Sequence, residues 1–476
     1  MSETSSHDVV VLGGGSGGYA AAFRATELGL SVALIEKDKV GGTCLHRGCI
    51  PTKALLHVAE LMDGIHEAAE RWGVKASVDS IDFSATVANR DDVVDKNYRG
   101  LVSHLKQLKV DTVNGQGRLS APDTVSVEGV GELRATRAVV LATGSVPKGL
   151  PGLEIDGERV ITSDHALRRD TLPRSVIVLG AGAVGCEFAC FYRAMGAEVT
   201  LVEALGQVLP LEDADSGREV ARAMRRRGLE VLVDTKLEGA EVRGDQVTAT
   251  LVDGKGGRRE VGAELLLVAT GREPVTSGMG FEEVGVELDR GFVVPADWAT
   301  LRTSVDGVYA VGDVLPPPSL ALAHASFAEG MLVAEVAAGQ HPPAIDYAGV
   351  PRVTWSTPEC ASVGLTEAQA RDRFGERAQG EGFELVTNRF PFNATAKGLV
   401  HGQGGFVKVV AVKDGPVLGV HLVGARVTDL IAEAELIYNW EALPADVAQF
   451  IHPHPTLSEA VGEAHLTLAG RALHQG

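Results

Sequence analysis

Hydrophobic positions cluster in two similar stretches of the chain, and each stretch predicts a strand, a tight turn and a helix. In the first, the apolar residues 8–12 (DVVVL) predict a buried strand, the glycines of 13–18 a turn, and the run to Leu28 a helix. Residues 31–36 (SVALIE) then predict a second strand. Residues 175–203 repeat the whole pattern with an offset of 167 positions. The sequence therefore predicts two strand–helix–strand units built to one plan.

The glycines at the strand-to-helix turns predict that both units bind dinucleotides. In the first unit, Gly13 suits a tight turn, Gly15 lets the backbone approach a pyrophosphate, and Gly18 packs the helix against the strand. The positive N-terminus of the helix then faces the phosphates. Glu36 and Glu203 each lie 23 residues after the first glycine of their unit, where a carboxylate accepts hydrogen bonds from a ribose. Two such units predict two bound dinucleotides.

The second unit favours NAD over NADP. The Glu203 carboxylate would repel a 2′-phosphate, and residues 204–210 contain no arginine that could receive one. Cys186 and Cys190 lie one turn apart on the helix of this unit, and we interpret them as small packed hydrophobic side chains.

The segments between and after the two units predict further elements of the same architecture. Residues 60–110 look helical and charged, and 111–145 look like short strands ending in VVLATGS. A similar apolar strand with a Thr-Gly turn recurs at 265–274. Asp313 follows a short apolar strand, but composition leaves open whether it binds a sugar hydroxyl. Residues 320–330 read as a loop entering a helix.

The pattern changes from about residue 346 to that of a separate α+β module. Residues 352–365, 406–412 and 417–423 predict antiparallel strands, and 427–442 predict a helix. No glycine fingerprint occurs in this part of the sequence. Together these patterns predict an α/β fold with two Rossmann-like dinucleotide-binding domains and a C-terminal α+β domain.

The C-terminal module ends in a segment with two histidines and a glutamate, FIHPHPTLSEAVGEAH. His452 and His454 stand among prolines that forbid regular helix, and a helix can start with Thr456 as its N-cap. Glu459 would then complete a capping box. Alternatively, Glu459 hydrogen-bonds a histidine ring and raises its basicity. The spacing alone leaves both roles open.

Composition and charge narrow the classes of partner. A chain of 476 residues is too long to fold around one hydrophobic core, and this length predicts about three or four domains. A net charge of −19 argues against nucleic acid and against an anionic membrane surface. The five cysteines are too few for a secreted disulfide scaffold, and no 18-residue apolar run or signal core appears. We therefore expect a cytoplasmic protein without a membrane span, and we predict no metal site.

The segment 41–53, GGTCLHRGCIPTK, carries the candidate chemistry. Cα atoms five positions apart in a helix lie about 8.6 Å from each other, whereas a disulfide needs roughly 4.4–6.8 Å. If Cys44 and Cys49 are bonded, the backbone here cannot be regular helix, and Gly48 and Pro51 are the residue types that would loosen it. A helix beginning near Cys49 would favour a thiolate there, and His46 and Arg47 would add positive potential. The pair is either an exchangeable dithiol or two buried structural cysteines.

Together these motifs resemble the flavin-dependent disulfide reductases, and among them most closely the dihydrolipoamide dehydrogenases. The resemblance extends from the first glycine fingerprint through GGTCLHRGCIPTK, the second fingerprint, GRxP at 271–274 and GD at 312–313 to HPHPTLSE. It implies four regions: an FAD domain (1–149), an NAD domain (150–274), a central domain (275–345) and a dimerisation domain (346–476). His46-Arg47 depart from the Asn-Val of many relatives, and Thr52 stands where serine is frequent.

The resemblance also implies site residues. FAD would be bound by Gly13, Gly15, Gly18, Glu36, Gly41, Gly42, Thr43, Cys44, Lys53, Gly117, Thr143, Gly144, Ser145, Asp313, Ala321, Leu322, Ala323 and His324. NAD would be bound by Gly180, Ala181, Gly182, Ala183, Val184, Gly185, Glu187, Glu203, Leu237 and Gly271. Catalysis would use a redox disulfide Cys44–Cys49, the base His454 with Glu459, and a Lys53–Glu187 pair near the flavin.

The implied reaction is oxidation of dihydrolipoamide by NAD through the disulfide and FAD, in a homodimer that supplies each histidine to its partner. The implied partner is the lipoyl-bearing acyltransferase of a 2-oxo acid dehydrogenase complex. Among alternatives, mercuric reductase would require a C-terminal cysteine pair, and the tail GRALHQG has none. Glutathione reductase would carry arginines for NADP, and the soluble transhydrogenases lack the dithiol. A docking subunit with little redox activity is the remaining alternative, and His452 is a rival to His454 as the base.

Overall fold

The computed structural model describes residues 5–378, 383–402 and 404–475. The strands are β1 (Ser5–Leu12), β2 (Val32–Glu36), β3 (Asp111–Asn114), β4 (Gly117–Ala121), β5 (Thr124–Val127), β6 (Gly131–Leu141), β7 (Ser145–Pro147), β8 (Val160–Thr162), β9 (Ser175–Leu179), β10 (Glu198–Val202), β11 (Glu230–Leu232), β12 (Thr235–Arg243), β13 (Gln246–Asp253), β14 (Arg258–Ala263), β15 (Leu265–Val268), β16 (Arg272–Pro274), β17 (Leu288–Asp289), β18 (Phe292–Val293), β19 (Val308–Ala310), β20 (Arg352–Thr354), β21 (Glu359–Gly364), β22 (Leu385–Pro391), β23 (Phe406–Val412) and β24 (Val417–Gly424).

Fourteen α-helices are assigned within the described residues. They are α1 (Ser16–Glu27), α2 (Gly42–Arg47), α3 (Cys49–Arg71), α4 (Phe83–Gln107), α5 (Ser163–Ala166), α6 (Ala183–Ala194), α7 (Ala214–Arg226), α8 (Phe281–Val284), α9 (Ala323–Ala337), α10 (Glu367–Ala378), α11 (Ala396–His401), α12 (Val427–Asn439), α13 (Pro444–Val447) and α14 (Glu459–Leu468). Short 3-10 helices cover Gly312–Val314, Tyr347–Gly349 and Phe392–Ala394.

The chain divides into two compact units, each assembled from separate segments. Unit 1 comprises residues 1–55, 82–148 and 272–347, and unit 2 comprises residues 56–81, 149–271 and 348–476. This partition is not the four-domain division suggested by the sequence, which stays a prediction.

Unit 1 is built on a seven-stranded sheet with the order β3-β2-β1-β6-β5-β4, and β19 also pairs with β6. The central strand β1 runs parallel to β2 and to β6, with Val10 opposite Ala33 on one side and Val139 on the other. Both faces of these strands are buried, which explains the uninterrupted apolar run of the sequence.

Helices α1 and α9 approach each other closely within unit 1. A Cβ atom added at Gly330 would lie 2.3 Å from the Gly17 carbonyl oxygen, and one added at Gly17 would lie 3.3 Å from the Ser326 carbonyl oxygen. Glycine at both positions lets the two backbones touch. The first turn of α1 therefore packs against the first half of α9.

Unit 2 contains three sheets. A parallel sheet with the order β11-β10-β9-β15-β8 carries the second glycine fingerprint, and β12, β13 and β14 form an antiparallel sheet that the sequence analysis did not predict. The third sheet is antiparallel, with the order β20-β21-β24-β23-β22, and has α12 and α14 packed against it. The predicted fold class is confirmed.

Some predicted helix bounds differ from the structure. The predicted helical region 60–110 is two helices, α3 and α4, because no helix forms over residues 73–82. Helix α12 ends at Asn439, and α14 begins at Glu459 with Ser458 rather than Thr456 as its N-cap. Within the described part of the chain, no helix has both the length and the apolarity needed to cross a bilayer.

Candidate functional site

The two cysteines of segment 41–53 meet because Gly48 interrupts the helix between them. Helix α2 ends at Arg47, Gly48 has φ −143° and ψ −114°, and α3 begins at Cys49. A Cβ at position 48 would lie 3.0 Å from the Thr43 carbonyl oxygen and 3.3 Å from the Cys44 Cα. The tight approach lets the two thiols hydrogen-bond to each other. The predicted break in the helix is confirmed, and both cysteines are thiols in this structure.

The environment of Cys44 favours the protonated form of its sulfur. The hydrogen bond with Cys49, then burial, raises the pKa of Cys44, and the nearby charge of Lys53 opposes this shift. His46 instead donates from Nε2 to the Val40 carbonyl oxygen at 2.9 Å and packs edge-on against Tyr98. Arg47 lies 3.8 Å from Asp38. Positive potential was predicted from His46 and Arg47, whereas Lys53 is the cation that lowers the pKa of Cys44 here.

The first glycine fingerprint has the geometry that its sequence predicts. Gly13 has φ +109°, and a Cβ there would lie 2.2 Å from the Ala142 carbonyl oxygen. A Cβ at Gly18 would lie 1.9 Å from the Gly13 carbonyl oxygen, whereas one at Gly15 would meet no atom within 4 Å. Gly13 and Gly18 are thus fixed by packing, and Gly15 opens onto the space where a ligand can approach.

Glu36 closes the turn with two hydrogen bonds. Its carboxylate accepts from the Gly14 amide at 2.8 Å and from the Asp38 amide at 2.9 Å. Each carboxylate oxygen keeps a further acceptor site, so Glu36 can still bind a ribose hydroxyl.

Three motifs that are far apart in the sequence meet in unit 1. Strand β7 pairs with β16, which puts Ser145 of the ATGS motif opposite Pro274 of the GRxP motif. Arg272 donates from Nε to the Ser145 hydroxyl at 2.7 Å and from Nη2 to its carbonyl at 2.8 Å. The Ser145 hydroxyl in turn donates to Asp313, and Arg272 Nε lies 3.6 Å from Asp313. Asp313 is thereby fixed at the end of β19.

A buried carboxylate that the sequence analysis did not single out holds the turn before Asp313. Glu329 of α9 is fully buried and accepts from the Gly312 amide at 2.6 Å, from the Ser319 hydroxyl at 2.7 Å and from the Tyr347 hydroxyl at 2.9 Å. Burial raises the pKa of Glu329 despite these hydrogen bonds. Glu329 lies in segment 320–330, which the sequence predicts as a loop entering a helix, but only the fold shows which groups donate hydrogen bonds to it.

Many of the predicted FAD residues line one cleft in unit 1. It is lined by Gly13, Gly15, Glu36, Gly42, Thr43, Gly117, Thr143, Gly144 and Ser145. Gly41, Cys44, Lys53, Asp313 and the segment Ala321–His324 at the start of α9 are not among its lining residues. The exposed Gly15 backbone and the start of α1 give this cleft the donors that a phosphate-bearing dinucleotide requires, so the residues fit FAD.

Two further side chains, His46 and Arg47, line the same cleft. We expect Arg47→Ala to weaken FAD binding by about tenfold, since a lost hydrogen bond or ion pair to a charged group costs roughly 1.5–3 kcal/mol. The measurement is flavin release from the purified protein, followed by the rise of flavin fluorescence on dilution. Arg99→Ala is the matched control, because Arg99 also pairs with an aspartate of unit 1, Asp95, but does not line the cleft. Equal flavin release from both variants would contradict a role for Arg47.

The second fingerprint repeats the first at the level of single contacts. A Cβ at Gly180 would lie 2.4 Å from the Ala269 carbonyl oxygen, one at Gly185 would lie 1.8 Å from the Gly180 carbonyl oxygen, and one at Gly182 would meet nothing within 4 Å. Glu203 accepts from the Ala181 amide at 2.7 Å and from the Leu205 amide at 2.9 Å. These amides are the counterparts of Gly14 and Asp38. Unit 2 thus carries a second cradle of the same design.

The other predicted NAD residues surround this turn or lie on neighbouring strands. Ala183, Val184 and Glu187 belong to the first turns of α6, and the buried Glu187 accepts from the Trp355 amide at 3.1 Å. Gly271 has φ +129° and open space at its Cβ position, and Leu237 precedes an irregularity in β12. The Lys53–Glu187 pair and the NAD contacts of these residues stay predictions.

Glu459 contacts His454, whereas the predicted capping box is only half formed, because Ser458 rather than Thr456 is the N-cap of α14. His454 donates from Nδ1 to Glu459 Oε1 at 2.7 Å, and the Thr456 amide donates to Glu459 Oε2 at 2.7 Å. Burial alone would raise the pKa of Glu459, but the hydrogen bonds from His454 and Thr456 lower it. The His454 side chain is 70% exposed, so its Nε2 edge is open to an incoming proton donor.

His452, the rival base, is held inside the C-terminal module. It hydrogen-bonds through Nε2 to Glu433 at 2.6 Å, and its side chain is 13% exposed. The hydrogen bond with Glu433 raises its pKa, and a Cβ at Gly462 would lie 2.4 Å from its Nδ1. Both ring nitrogens are therefore enclosed, which favours His454 as the base.

Comparisons with known proteins agree with this geometry. Residues 7–330 match the family model described as pyridine nucleotide-disulphide oxidoreductase, and residues 350–465 match the dimerisation domain of that family. The chain is 40% identical to dihydrolipoyl dehydrogenase of Bacillus subtilis, over 98% of this chain and 99% of that protein. Among solved structures it is similar to LpdA of Mycobacterium tuberculosis (TM-score 0.85, 27% identity, covering 98% and 100% of the two chains). It is also similar to the HOCl-induced flavoprotein disulfide reductase RclA of Escherichia coli (TM-score 0.82, 25% identity, covering 96% and 99%).

Proposed function

The chain belongs to the pyridine nucleotide-disulphide oxidoreductase family, and we propose that it oxidises dihydrolipoamide to lipoamide with NAD as the final electron acceptor. It is a flavoprotein disulfide oxidoreductase that works with FAD and NAD. The observation that carries the proposal is the contact of the Cys44 and Cys49 thiols at the helix break of Gly48. A dithiol placed in this way can open and close as a disulfide.

The chemistry of the chain's own residues is a thiol–disulfide exchange. With Cys44 and Cys49 oxidised, His454 Nε2 takes a proton from one substrate thiol, because only a thiolate attacks a disulfide. The thiolate attacks Cys44, the sulfur–sulfur bond breaks, and Cys49 leaves as a thiolate. The second substrate thiol then loses its proton, and its thiolate attacks the substrate sulfur of the mixed disulfide; lipoamide is released, and the departing Cys44 sulfur takes up that proton. When bound, FAD supplies the two-electron acceptor between the dithiol and NAD.

Glu459 orients the base. Its hydrogen bond to His454 Nδ1 fixes the tautomer in which Nε2 accepts the proton. We propose that the chain acts as a homodimer in which each His454 serves the dithiol of the partner subunit; the match to the dimerisation domain over residues 350–465 supports a homodimer. We further propose a cytoplasmic enzyme that serves the lipoyl-bearing acyltransferase of a 2-oxo acid dehydrogenase complex, on the strength of its dihydrolipoyl dehydrogenase relatives.

The experiment that tests the function is anaerobic titration of the purified protein with dihydrolipoamide. We expect a long-wavelength charge-transfer band after addition of one equivalent, because the proposed exchange would leave Cys49 as a thiolate that could donate charge to bound flavin. With NADH as donor, lipoamide should be reduced far faster than glutathione disulfide or mercuric ion. Absence of the band together with faster reduction of either alternative acceptor would contradict the proposal.

The choice between NAD and NADP gives a second prediction. The Glu203 carboxylate would repel a 2′-phosphate, and the exposed Leu205 stands two residues beyond it. We expect Leu205→Arg to raise kcat/KM for NADP by about tenfold, because an arginine there can pair with the 2′-phosphate. Leu211→Arg is the matched control, since Leu211 is also exposed in the same segment but lies farther from Glu203 in sequence. The same gain in both variants would show a general charge effect and contradict a specific role for position 205.

A further inference from the structure

Unit 2 contains a cavity that no part of the proposed reaction uses. Its volume is about 910 Å³, and its walls come mainly from α3, the end of α6, α7, the end of β22 and the segment that follows β22. The residues of the second fingerprint, Glu203, His454 and Glu459 are not among those that line it. A cavity of this size is large enough for a nucleotide-sized ligand.

The cavity is lined by five arginines, Arg193, Arg222, Arg226, Arg227 and Arg389. Three of them face a single carboxylate, that of Glu219, whose side chain is 11% exposed. The distances from Glu219 are 3.7 Å to Arg222, 3.5 Å to Arg226 and 3.8 Å to Arg389. These distances exceed the usual 2.7–3.2 Å of a hydrogen bond. One carboxylate thus faces three guanidinium groups and holds none of them tightly.

The remaining charges of the cavity leave a positive surplus. Arg227 pairs with Asp63, and the lining residue Glu67 pairs with Arg71 outside the cavity. Arg193 is fixed by a hydrogen bond from its Nε to the Arg227 carbonyl oxygen at 2.7 Å. The lining thus has five arginines and four acids; Asp63 and Glu67 are paired as described, and Glu219 faces three arginines at once. A local positive surplus is notable in a chain whose net charge is −19.

We propose that this cavity binds a small anion that carries two or more phosphate groups. Guanidinium groups bind phosphate oxygens in pairs, and a cluster of arginines without lysine suits this bidentate recognition. The ligand would displace the loose contacts of Glu219 and bridge Arg222, Arg226 and Arg389. The site is independent of the proposed reaction and would place an effector on unit 2.

The test is calorimetric titration of the FAD-loaded protein with sodium pyrophosphate at low ionic strength, with NAD at saturation so that the dinucleotide sites are filled. We expect pyrophosphate to bind at least about tenfold more tightly than orthophosphate, because it can span several arginines. The double variant Arg222→Ala/Arg226→Ala should weaken binding at least about tenfold. Glu219→Gln should tighten it by about threefold or more, since the competing charge is gone.

The matched control is the double variant Arg243→Ala/Arg258→Ala, which removes two exposed arginines of unit 2 that lie outside the cavity. Its affinity for pyrophosphate should equal that of the parent protein. Absence of binding by the parent protein, equal affinity for the two phosphates, equal loss in the control, or no tightening in Glu219→Gln would each overturn the proposal. Flavin content and thermal unfolding of every variant establish that it is folded.

Discussion

Replacement of Cys49 by serine is expected to lower dihydrolipoamide-dependent reduction of NAD by at least about a thousandfold. Catalytic residues that act as a unit lose nearly all of their effect when one of them is removed. A serine hydroxyl forms no disulfide with Cys44, so the substrate dithiol has nothing to exchange with. FAD should remain bound, because the substitution leaves unchanged the glycine turn and Glu36 that line the flavin cleft of unit 1. The measurement is steady-state turnover with dihydrolipoamide, with flavin content determined in parallel.

A second assay separates loss of the dithiol from damage to the flavin site. Oxidation of NADH by ferricyanide needs the flavin but not the sulfurs, so Cys49→Ser should retain it. Cys190→Ser is the matched control: Cys190 is buried on α6 and accepts from the Thr357 amide at 3.3 Å, a contact that a serine can replace. It should keep most of its activity in both assays. Normal lipoamide turnover by Cys49→Ser would refute the exchange mechanism.

Replacement of His454 by alanine is the second change with a large expected effect. General acid–base catalysis typically contributes about 10²–10⁴-fold, and we expect a loss of that size in dihydrolipoamide oxidation near neutral pH. The loss should shrink as the pH rises beyond about 8.5, where thiols begin to ionise without a base. The pH profile of kcat/KM for the variant and the parent protein is the measurement.

The C-terminal module offers a matched control for this variant. His474 also pairs through Nδ1 with a carboxylate, Glu463, at 2.7 Å, and its side chain is 56% exposed compared with 70% for His454. His474→Ala should leave the pH profile unchanged. A thousandfold loss in His474→Ala, or full turnover at pH 7 in His454→Ala, would move the base elsewhere.

Local patterns were enough to predict the two glycine cradles and the helix break at the dithiol. Each depends on residues that are close in sequence, such as Gly13 with Gly18, or Gly48 with Cys44 and Cys49. Steric demands on these positions are so strict that the residue type alone indicates the backbone. The duplication at an offset of 167 positions added independent support, since it extends to the amides bound by Glu36 and Glu203.

Contacts between distant segments could not be predicted from the sequence. Ser145 forms hydrogen bonds with Arg272 and Asp313, which lie 127 and 168 positions away in the sequence. No hydrophobic periodicity indicates contacts of this kind. Glu329 looked like any acidic residue of a helix, although it is fully buried with three hydrogen-bond donors. The orientation of His46 and Arg47 also depended on Tyr98 and Asp38, which the folded chain brings to them.

Because unit 1 consists of three separate segments of the chain, it can be completed only after the last of them has been synthesised. Its sheet needs β19, and the Ser145–Arg272–Asp313 contacts need residues that leave the ribosome long after the first fingerprint. The second fingerprint lies in the uninterrupted stretch 149–271 and has all its strands available earlier. The flavin cradle is therefore a late product of translation, and a nascent chain released before residue 313 would have no finished place to load its cofactor.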